Sequence, residues 1–525
     1  MKTLFNYSIL WFVTVWFSLF VISSVEAANV PRLAKRSEMR SLRAVNGRLH
    51  AQSLSVDRNV LRALTLNRLD KVIIPVLEND ITFQRISQII RKKTTTWLGK
   101  DETGKTRIIL TLGDDHFFAR VVTDGKTILF DPAEINNQAV SYLVDQAFEV
   151  PMVDDGVAPN FELQDPFAAA QSADDGSRID LMVLYTNGMA SAHPGSQIDT
   201  RIQYLIDQAN NALSNSNIYT QFNLVHSEEV NYPDDSLNGM NEALYDLTDN
   251  TGVFANVENL RTEYGADQVT LLRRFVDEGC GLAWLLKYDN AGLAYAVVHD
   301  GSKTDGSGYF CSDLTYVHEI GHNLGCAHDR LNSSNSGKYS YSYGYQEPGK
   351  KFRTLMSYNC PGGCTQIEYF SNPDVTYLGD PTGIAYPNFN SADNARTINQ
   401  TRLSMAGYRA EIQPTIRVIS PDGEEVWKRG RSHVIAWTTT NISGNVIIEL
   451  YKGGILNTTI TPDTPDTGNF LWTVPQSQSL GSDYRIRISS ATSPGGFAES
   501  DGDFSISEAP VVKGMPWLPL LVLDN

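Results

Sequence analysis

The stretch "YVHEIGHNLGCAHD", residues 316–329, contains three of the nine histidines of the chain. The first two, His318 and His322, are four positions apart, so on a helix they share one face with Cβ atoms about 5–6 Å apart. Two imidazoles placed in this way can hold one metal ion, which needs about 2.0–2.1 Å to each nitrogen. The spacing therefore predicts a helix that presents two ligands to a metal.

His328 is predicted to supply a third ligand from another direction, after a turn at Gly325. A residue without Cβ can adopt the left-handed conformation that ends a helix, so Gly325 predicts a chain reversal that brings His328 to the metal. Three protein ligands leave a fourth position for water or substrate, which is typical of catalytic zinc sites. Glu319 projects at a different angle from His318 and is predicted to be the general base. No motif in the sequence indicates a structural Ca²⁺ site, and nothing in the sequence excludes one.

Isolated histidines on a helix are usually surface or core residues, and a bare HExxH pattern arises by chance often enough to be weak. The longer string from His318 to Asp329, with Gly325 and His328 in register, would arise in on the order of one in a million chains of this composition. We therefore interpret it as one catalytic zinc site.

This string resembles the signature of the metzincin zinc endopeptidases, in which a methionine turn follows the histidines. The segment "TLMSYN" (354–359) supplies Met356, and the resemblance implies that this side chain forms the floor beneath the metal. Asp329 is similar to the reprolysin (adamalysin) branch, where the aspartate braces the methionine turn. Tyr358 is similar instead to the astacin and serralysin arrangement, where the hydroxyl stabilises the transition-state oxyanion. Reprolysins proper lack that tyrosine, so its role stays open.

The resemblance extends over about 178–409 and looks most like bacterial secreted reprolysin-like enzymes, including peptidyl-Asp metalloendopeptidases. It implies a metzincin-like α/β (α+β) catalytic domain with a twisted mixed sheet, an active-site helix and polypeptide substrates. In this resemblance "AYAVVHD" (294–300) is the edge strand that pairs with substrate, and the stretch through "YFSNPDVTY" (369–377) lines the specificity pocket.

Hydrophobic periodicity predicts the same class of fold. Apolar runs at 178–186, 221–230 and 267–276 indicate strands, and apolar residues at helical spacing between 198 and 213 indicate a helix. Alternating strands and helices are typical of an α/β sheet domain.

Residues 1–27 are predicted to be a secretory signal, because Lys2 precedes an apolar run over 9–22 and small residues follow. The alternative is an uncleaved membrane anchor, for which the run is near the short limit. No later segment is long enough to span a bilayer. The mature chain is thus expected to be secreted, without a transmembrane segment.

Residues 28–177 are predicted to be a propeptide domain, with β-rich alternation between 95 and 132. It ends in a polar stretch at 168–177 whose composition favours proteolysis, so we expect a mature amino terminus between Ala168 and Arg178. A permanent accessory domain is the alternative. The propeptide has no cysteine to bind the zinc, so latency would come from an aspartate or from filling of the cleft.

Residues 415–508 are predicted to form an immunoglobulin-like β-sandwich, because short Thr-, Ser- and Val-rich runs recur about every ten residues. Trp437 and Trp472 in these runs are predicted to be core residues. Residues 509–525 form an apolar tail that is too short to span a membrane.

All five cysteines lie within the central part of the sequence, and an exported chain would meet an oxidising compartment. We predict a Cys280–Cys311 bridge, and a second bridge from Cys326 to either Cys360 or Cys364. One cysteine must remain without a bridge. A cysteine-only zinc site at Cys360 and Cys364 would lack a second pair of ligands.

The net charge of −17 argues against nucleic acid or an anionic membrane as a partner. The sequence predicts a secreted zinc endopeptidase, of bacterial type, that hydrolyses extracellular proteins. Its C-terminal module could contact a cell surface or polysaccharide. One alternative is a secreted or surface β-sandwich adhesin or binding protein with a catalytically inert metal domain. Glu319 disfavours it, because a structural zinc site needs no base. A zinc hydrolase acting on non-peptide bonds is a second alternative, but it has no use for an edge strand.

Overall fold

The structure is a computed structural model. It describes residues 30–37, 47–133, 138–150, 155–159, 175–234, 239–275, 279–303, 305–412, 415–440, 442, 445–491 and 497–509. The predicted signal at 1–27, most of the predicted linker and the apolar tail from residue 510 lie outside the described residues. Among the described residues, no helix is both long and apolar enough to cross a membrane.

The N-terminal part of the chain forms one antiparallel sheet of nine strands, in the order β1-β2-β9-β8-β7-β6-β5-β4-β3. These strands are β1 Ala34–Arg36, β2 Arg48–Val56, β3 Lys71–Val76, β4 Asn79–Ile90, β5 Thr95–Lys100, β6 Arg107–Leu112, β7 Phe117–Thr123, β8 Lys126–Pro132 and β9 Gln138–Val144, and helix α1 is Arg58–Thr65. Trp97 and Phe83 lie in its core, with 0% of their surface exposed. The predicted β-rich alternation between 95 and 132 is confirmed by β5 to β8.

The central part contains a mixed sheet in the order β10-β14-β15-β13-β11-β12, with β16 also paired to β15. Its strands are β10 Gly156–Val157, β11 Arg178–Thr186, β12 Gln221–Val230, β13 Gln268–Arg274, β14 Gly281–Trp284, β15 Tyr295–Ser302 and β16 Phe310–Cys311. Its helices are α2 Asn187–Ala192, α3 Gln197–Asn215, α4 Met240–Thr248, α5 Val257–Tyr264, α6 Thr315–Asn323 and α7 Asn394–Met405. The strands and the helix predicted from periodicity are confirmed by β11, β12, β13 and α3.

The predicted edge strand at 294–300 is wrong. This segment is β15, which lies inside the sheet between β13 and the antiparallel β14. Its first six residues are all buried, as expected for a strand with both faces covered. Strand β14 lies next to helix α6, and the two-residue strand β10 pairs with it and forms the edge of the sheet.

Helix α3 links the central sheet to the N-terminal sheet. Its apolar residues recur at helical spacing, and Ile202, Leu205 and Ile206 are 1%, 2% and 0% exposed. Phe118 of the N-terminal sheet is buried in the same hydrophobic core as these side chains. The two sheets therefore share part of one apolar interior across α3.

After α6 the chain forms short paired strands. They are β17 Ala327–Asp329 with β18 Tyr343–Gly344, β19 Phe352–Arg353 with β20 Thr365–Gln366, and β21 Thr376–Tyr377 with β22 Asp380–Pro381. The first pair follows directly on the turn at Gly325, so the short strands hold the segment that carries the third histidine.

The C-terminal part contains two sheets packed on one core. Their orders are β23-β25-β28 and β24-β31-β29-β26-β27, with β30 paired to β29. The strands are β23 Thr415–Ser420, β24 Val426–Lys428, β25 Ser432–Thr440, β26 Asn445–Lys452, β27 Ile455–Pro465, β28 Asn469–Thr473, β29 Gly481–Ser490, β30 Phe497–Glu499 and β31 Phe504–Ser507. Trp437 and Trp472 are 3% and 8% exposed, which confirms that they are core residues. The immunoglobulin-like assignment stays a prediction.

The cysteine pairing was predicted correctly in its first half only. Cys280 and Cys311 form a disulfide between the start of β14 and β16. The predicted bridge from Cys326 is wrong, because Cys360 pairs with Cys364 and Cys326 remains a buried thiol. Two glycines in the left-handed region lie between Cys360 and Cys364. The turn that they form brings the Cα atoms of the two cysteines to 5.4 Å, which is within disulfide reach.

Candidate metal centre

Helix α6 places the first two histidines against the edge of the sheet. The Nε2 atoms of His318 and His322 are 3.2 Å apart, and the side chains are 1% and 0% exposed. Asn323 fixes the helix behind the strands, because its amide donates to the carbonyls of Trp284 (2.9 Å) and Tyr295 (3.1 Å). Both imidazoles therefore point from a rigid element into the space beside β14.

The third histidine reaches the same point through the predicted turn. Gly325 has φ +88°, and a Cβ there would lie 2.9 Å from Lys338 Cβ and 3.0 Å from the Leu286 carbonyl oxygen. Only glycine therefore fits at this turn without strain. After it, His328 Nε2 lies 3.2 and 3.1 Å from the Nε2 atoms of the two helical histidines.

The hydrogen bonds at the far side of these rings show that the cluster fits a cation. His318 Nδ1 lies 2.9 Å from the Leu355 carbonyl, and His322 Nδ1 lies 2.8 Å from the Cys326 carbonyl. A carbonyl can only accept, so each Nδ1 donates. Burial lowers the pKa of His322 to about 4, so its ring is neutral at pH 7 and its Nε2 carries a lone pair. Lone pairs that converge at 3.1–3.2 Å in a buried site call for a cation, and a tetrahedral ion at about 2.0–2.1 Å spaces its ligands in this way.

Asp155 joins the three imidazoles, and the sequence analysis missed it. Its Oδ1 lies 2.6, 3.0 and 3.4 Å from the Nε2 atoms of His328, His322 and His318, respectively. All four ligand atoms lie within 4.8 Å of one another. Burial alone would raise the pKa of Asp155, but the facing imidazoles hold it well below its usual range. More than 160 positions separate Asp155 from the histidines, so no local spacing could reveal this contact.

Glu319 lies beside this cluster without ligating it. The side chain is 0% exposed, and neither carboxylate oxygen has a hydrogen-bond partner among the described residues. Burial raises the pKa of Glu319 well above its usual range, and the negative Asp155 adds to the rise. A cavity of about 20 Å³ adjoins it, which is room for one water. Its lining includes Glu149, Asp155, Cys280, Ser312, His318 and Glu319.

The methionine turn lies beneath the active-site helix. Met356 is 0% exposed, and a Cβ at Gly321 of α6 would lie 2.6 Å from its sulfur. Asp329 holds the turn, because its Oδ2 accepts from the backbone N–H of Tyr358 (3.0 Å) and from Ser357 Oγ (3.3 Å). The roles that the resemblance implied for Met356 and Asp329 stay predictions.

Two further predicted site features lie nearby. The Tyr358 ring centre is 4.6 Å from that of His328, so the phenol belongs to the wall of the metal site. The stretch 369–377 follows the methionine turn, and the Leu355 N–H donates to the Tyr369 carbonyl. The roles predicted for Tyr358 and for this stretch stay predictions.

Strand β10 occupies the edge of the central sheet at the metal site. The Ala283 N–H donates to the Asp155 carbonyl (3.0 Å), and the Leu285 N–H donates to the Val157 carbonyl (2.7 Å). The pairing of β10 with β14 is parallel. The edge of the sheet and the metal cluster are thus both contacted by residues 155–157.

Comparisons with known proteins agree with this geometry. Residues 175–371 match the reprolysin-type sequence model of metallopeptidase family M12. A peptidyl-Asp metalloendopeptidase of Stenotrophomonas maltophilia (strain R551-3) is 29% identical over 328 residues, which cover 61% of this chain and 74% of that protein. The protein of the same name from Xanthomonas campestris pv. campestris is 30% identical over 48% of this chain and 57% of its own length. A third, from Pseudomonas aeruginosa, is 32% identical over 47% and 42%, respectively.

Among solved structures, one described as "Structure of a chaperone-substrate complex" has a TM-score of 0.35 and 19% identity. It covers 56% of this chain and 39% of its own, and so weak a likeness carries no argument here. The family match and the named relatives do carry one. The family match over residues 175–371 and the named relatives show that the chain is a metalloendopeptidase, a hydrolase, that resembles the peptidyl-Asp metalloendopeptidases.

Proposed function

We propose that the chain is a secreted zinc endopeptidase of bacterial type that hydrolyses peptide bonds of extracellular proteins. The observation that supports this most is the convergence of three Nε2 atoms, 3.1–3.2 Å apart, beside the buried carboxylate of Glu319. The proposed organisation is a signal at 1–27, a propeptide at 28–177, the catalytic domain at 178–409, an immunoglobulin-like module at 415–508 and an apolar tail at 509–525.

His318, His322 and His328 would hold the zinc ion through Nε2. When bound there, zinc would supply a water with its pKa lowered toward about 7 and would polarise a carbonyl group. In this proposal Glu319 would take the proton of the attacking water on a carboxylate oxygen and pass it to the departing amine. Neither carboxylate oxygen of Glu319 has a hydrogen-bond partner among the described residues, so both can take part in this transfer.

Strand β14 would align the substrate once β10 is displaced. The N–H groups of Ala283 and Leu285 point toward β10 and donate to its carbonyls, and an extended peptide in the place of β10 could accept from them instead. Tyr358, on the wall of the site, would donate to the oxygen that becomes negative in the transition state. Together these groups hold the scissile bond beside Glu319.

We further propose a preference for bonds next to aspartate, as the names of the relatives say of those proteins. Arg353 offers a cation for such a side chain. It is 4% exposed, and its guanidinium lies 3.6 Å from the carboxylate of Glu149, which also lines the cavity beside Glu319. The carboxylate of Glu149 therefore already occupies a position beside Arg353 and close to Glu319, where an aspartate of the substrate would bind.

The test is digestion of an unfolded protein, with the cut sites read by mass spectrometry. We expect cleavage that a chelator abolishes and stoichiometric zinc restores, with most cuts beside aspartate. An intact substrate after incubation with zinc-loaded chain cut within 168–177 would contradict the endopeptidase. Cuts spread evenly over all residue types would contradict only the aspartate preference.

A further inference from the structure

We propose that Asp155 is the fourth metal ligand of the uncut chain, and that it keeps the enzyme latent by closing the position where water must bind. The proposal rests on the proposed function for the identity of the site, and it goes beyond it by naming the residue that controls the site. It also chooses between the two sources of latency that the sequence left open.

Asp155 completes the coordination geometry of the three histidines. The Asp155 carboxylate contacts all three Nε2 atoms at 2.6–3.4 Å, so it occupies the fourth corner of the cluster. The side chain is 4% exposed, and a buried carboxylate with three imidazoles around it is stable when a cation lies among them. Four protein ligands make a closed zinc site, whereas catalysis needs one open position.

The backbone around Asp155 also occupies the strand edge beside the metal site. The carbonyls of Asp155 and Val157 accept from Ala283 and Leu285, which are the N–H groups that an extended substrate would use. A substrate therefore has to displace β10 before it can pair with β14. Residues 155–157 thus occupy both the fourth position at the metal and the strand edge with which a substrate would pair.

Gly156 lies between these contacts and fits closely against His322. A Cβ at Gly156 would lie 2.9 Å from ring atoms of His322, so the backbone passes directly over a metal ligand. Only a residue without a side chain allows so close an approach. The segment is therefore shaped to the metal site.

Contacts on the N-terminal side hold the segment in place. The Val150 N–H donates to the Phe310 carbonyl (3.0 Å), and Glu149 pairs with Arg353 (3.6 Å). On the other side, Arg402 donates to the Asp175 carbonyl (3.0 Å). The predicted cleavage region at 168–177 begins between these anchors, so a cut there would leave Asp155 attached through its N-terminal side only.

The test uses the full chain with Glu319→Gln, which prevents self-cleavage, and with cobalt(II) in place of zinc. Acetohydroxamate is the probe, because it binds a metal with an open position and changes the cobalt absorption spectrum. We expect no spectral change with the parent and saturable binding, tighter by at least about tenfold, with Asp155→Ala. Asp145→Ala is the matched control, since it removes one carboxylate ten positions upstream that caps a local turn, and it should behave as the parent does.

Binding of the probe by the parent overturns the proposal, and so does an Asp155→Ala chain that excludes the probe as the parent does. The first outcome needs no substitution at Asp155, so the proposal remains testable if that variant does not fold. Peptide cleavage by the cut wild-type chain is measured separately. An active cut chain with unresponsive Asp155→Ala contradicts the ligand assignment alone, whereas an inactive cut chain with a responsive variant contradicts the proposed function alone.

Discussion

Glu319 is the residue on which the proposed chemistry depends most, because it is buried, lacks a partner for either oxygen among the described residues and lies beside the four candidate ligands without being one of them. We expect Glu319→Gln to bind one zinc per chain and to lower kcat/KM by about 10²–10⁴ or more, since proton transfer is lost while the ligands survive. Elemental analysis and peptide hydrolysis measure the two effects. The exposed Glu242→Gln is the control for the same chemical change, and activity of Glu319→Gln within tenfold of the parent would contradict its role as base.

His299 makes folding sensitive to pH away from the metal. Burial, together with the charge of Arg273, lowers the pKa of His299 to about 4, and its Nδ1 donates to the Gly279 carbonyl (2.9 Å). The unfolded chain takes up this proton near pH 6.5, whereas the folded chain resists it down to about pH 4. The neutral ring therefore contributes stability above pH 6.5, and on the order of 3 kcal/mol of it is lost as the pH falls to 4.

We expect this loss to be smaller in His299→Asn, which keeps a donor and does not titrate. Urea unfolding of both proteins at pH 7 and pH 4.5 measures it, because the other titrating groups are common to both. An equal loss of stability in the two proteins would show that His299 does not titrate in this way.

At the scale of single elements, the turn after α6 decides whether a third ligand reaches the metal. Gly325→Ala forces an L-residue into φ +88° and brings its Cβ against Lys338 and the Leu286 carbonyl. We expect a loss of about 2–4 kcal/mol in unfolding free energy and at least tenfold weaker zinc binding, because His328 is displaced. Gly362→Ala is the matched control, since Gly362 has φ +89° with nothing within 4 Å of its Cβ position. It should lose only the strain, about 1–2 kcal/mol, and keep its zinc affinity.

The elements that the sequence predicted correctly are those encoded by local spacing. Helix α6, the turn at Gly325 and the strands around β11 each follow from a period or a single residue type within about ten positions. The roles of Met356 and Asp329 come from the resemblance and stay predictions.

The errors concern strand order, a contact between distant segments and a local turn whose backbone conformation the sequence pattern did not reveal. The order of strands in the sheet is a tertiary property, so the pattern at 294–300 could not distinguish an inner strand from an edge strand. A buried continuous run does favour the inner position, and that signal was available. The Cys360–Cys364 bridge depends on a glycine turn, whose two positive φ values bring the thiols together. The contact of Asp155 has no local signature at all.

At the scale of the whole molecule, one N-terminal unit both covers the catalytic region and supplies the residue at the metal. Its sheet packs on α3, where Asp207 accepts from Thr96 (2.5 Å) and Thr111 (2.7 Å) and pairs with Arg91 (3.3 Å). Asp207 is 5% exposed, so these charged hydrogen bonds are largely shielded from water. Cleavage in the predicted linker would cut the chain but would leave this interface, and with it Asp155, in place.

Activation should therefore depend on release of the N-terminal fragment after the cut. We expect the contacts of Asp207 to determine how tightly the rest of the chain binds this fragment. We expect Asp207→Asn to weaken binding of the cut fragment by about ten- to a hundredfold, since a hydrogen bond to a charged group contributes about 1.5–3 kcal/mol. Asp199→Asn is the control on the same helix: Asp199 pairs with Lys93, whose side chain is 65% exposed, so the change should be less than about fivefold.

Cut protein diluted over a range of concentrations measures both, by co-elution of the two fragments and by peptide hydrolysis. Asp207→Asn should become active at higher protein concentration than the parent does. Equal dissociation constants for the two variants would show that the interface on α3 does not retain the fragment through Asp207.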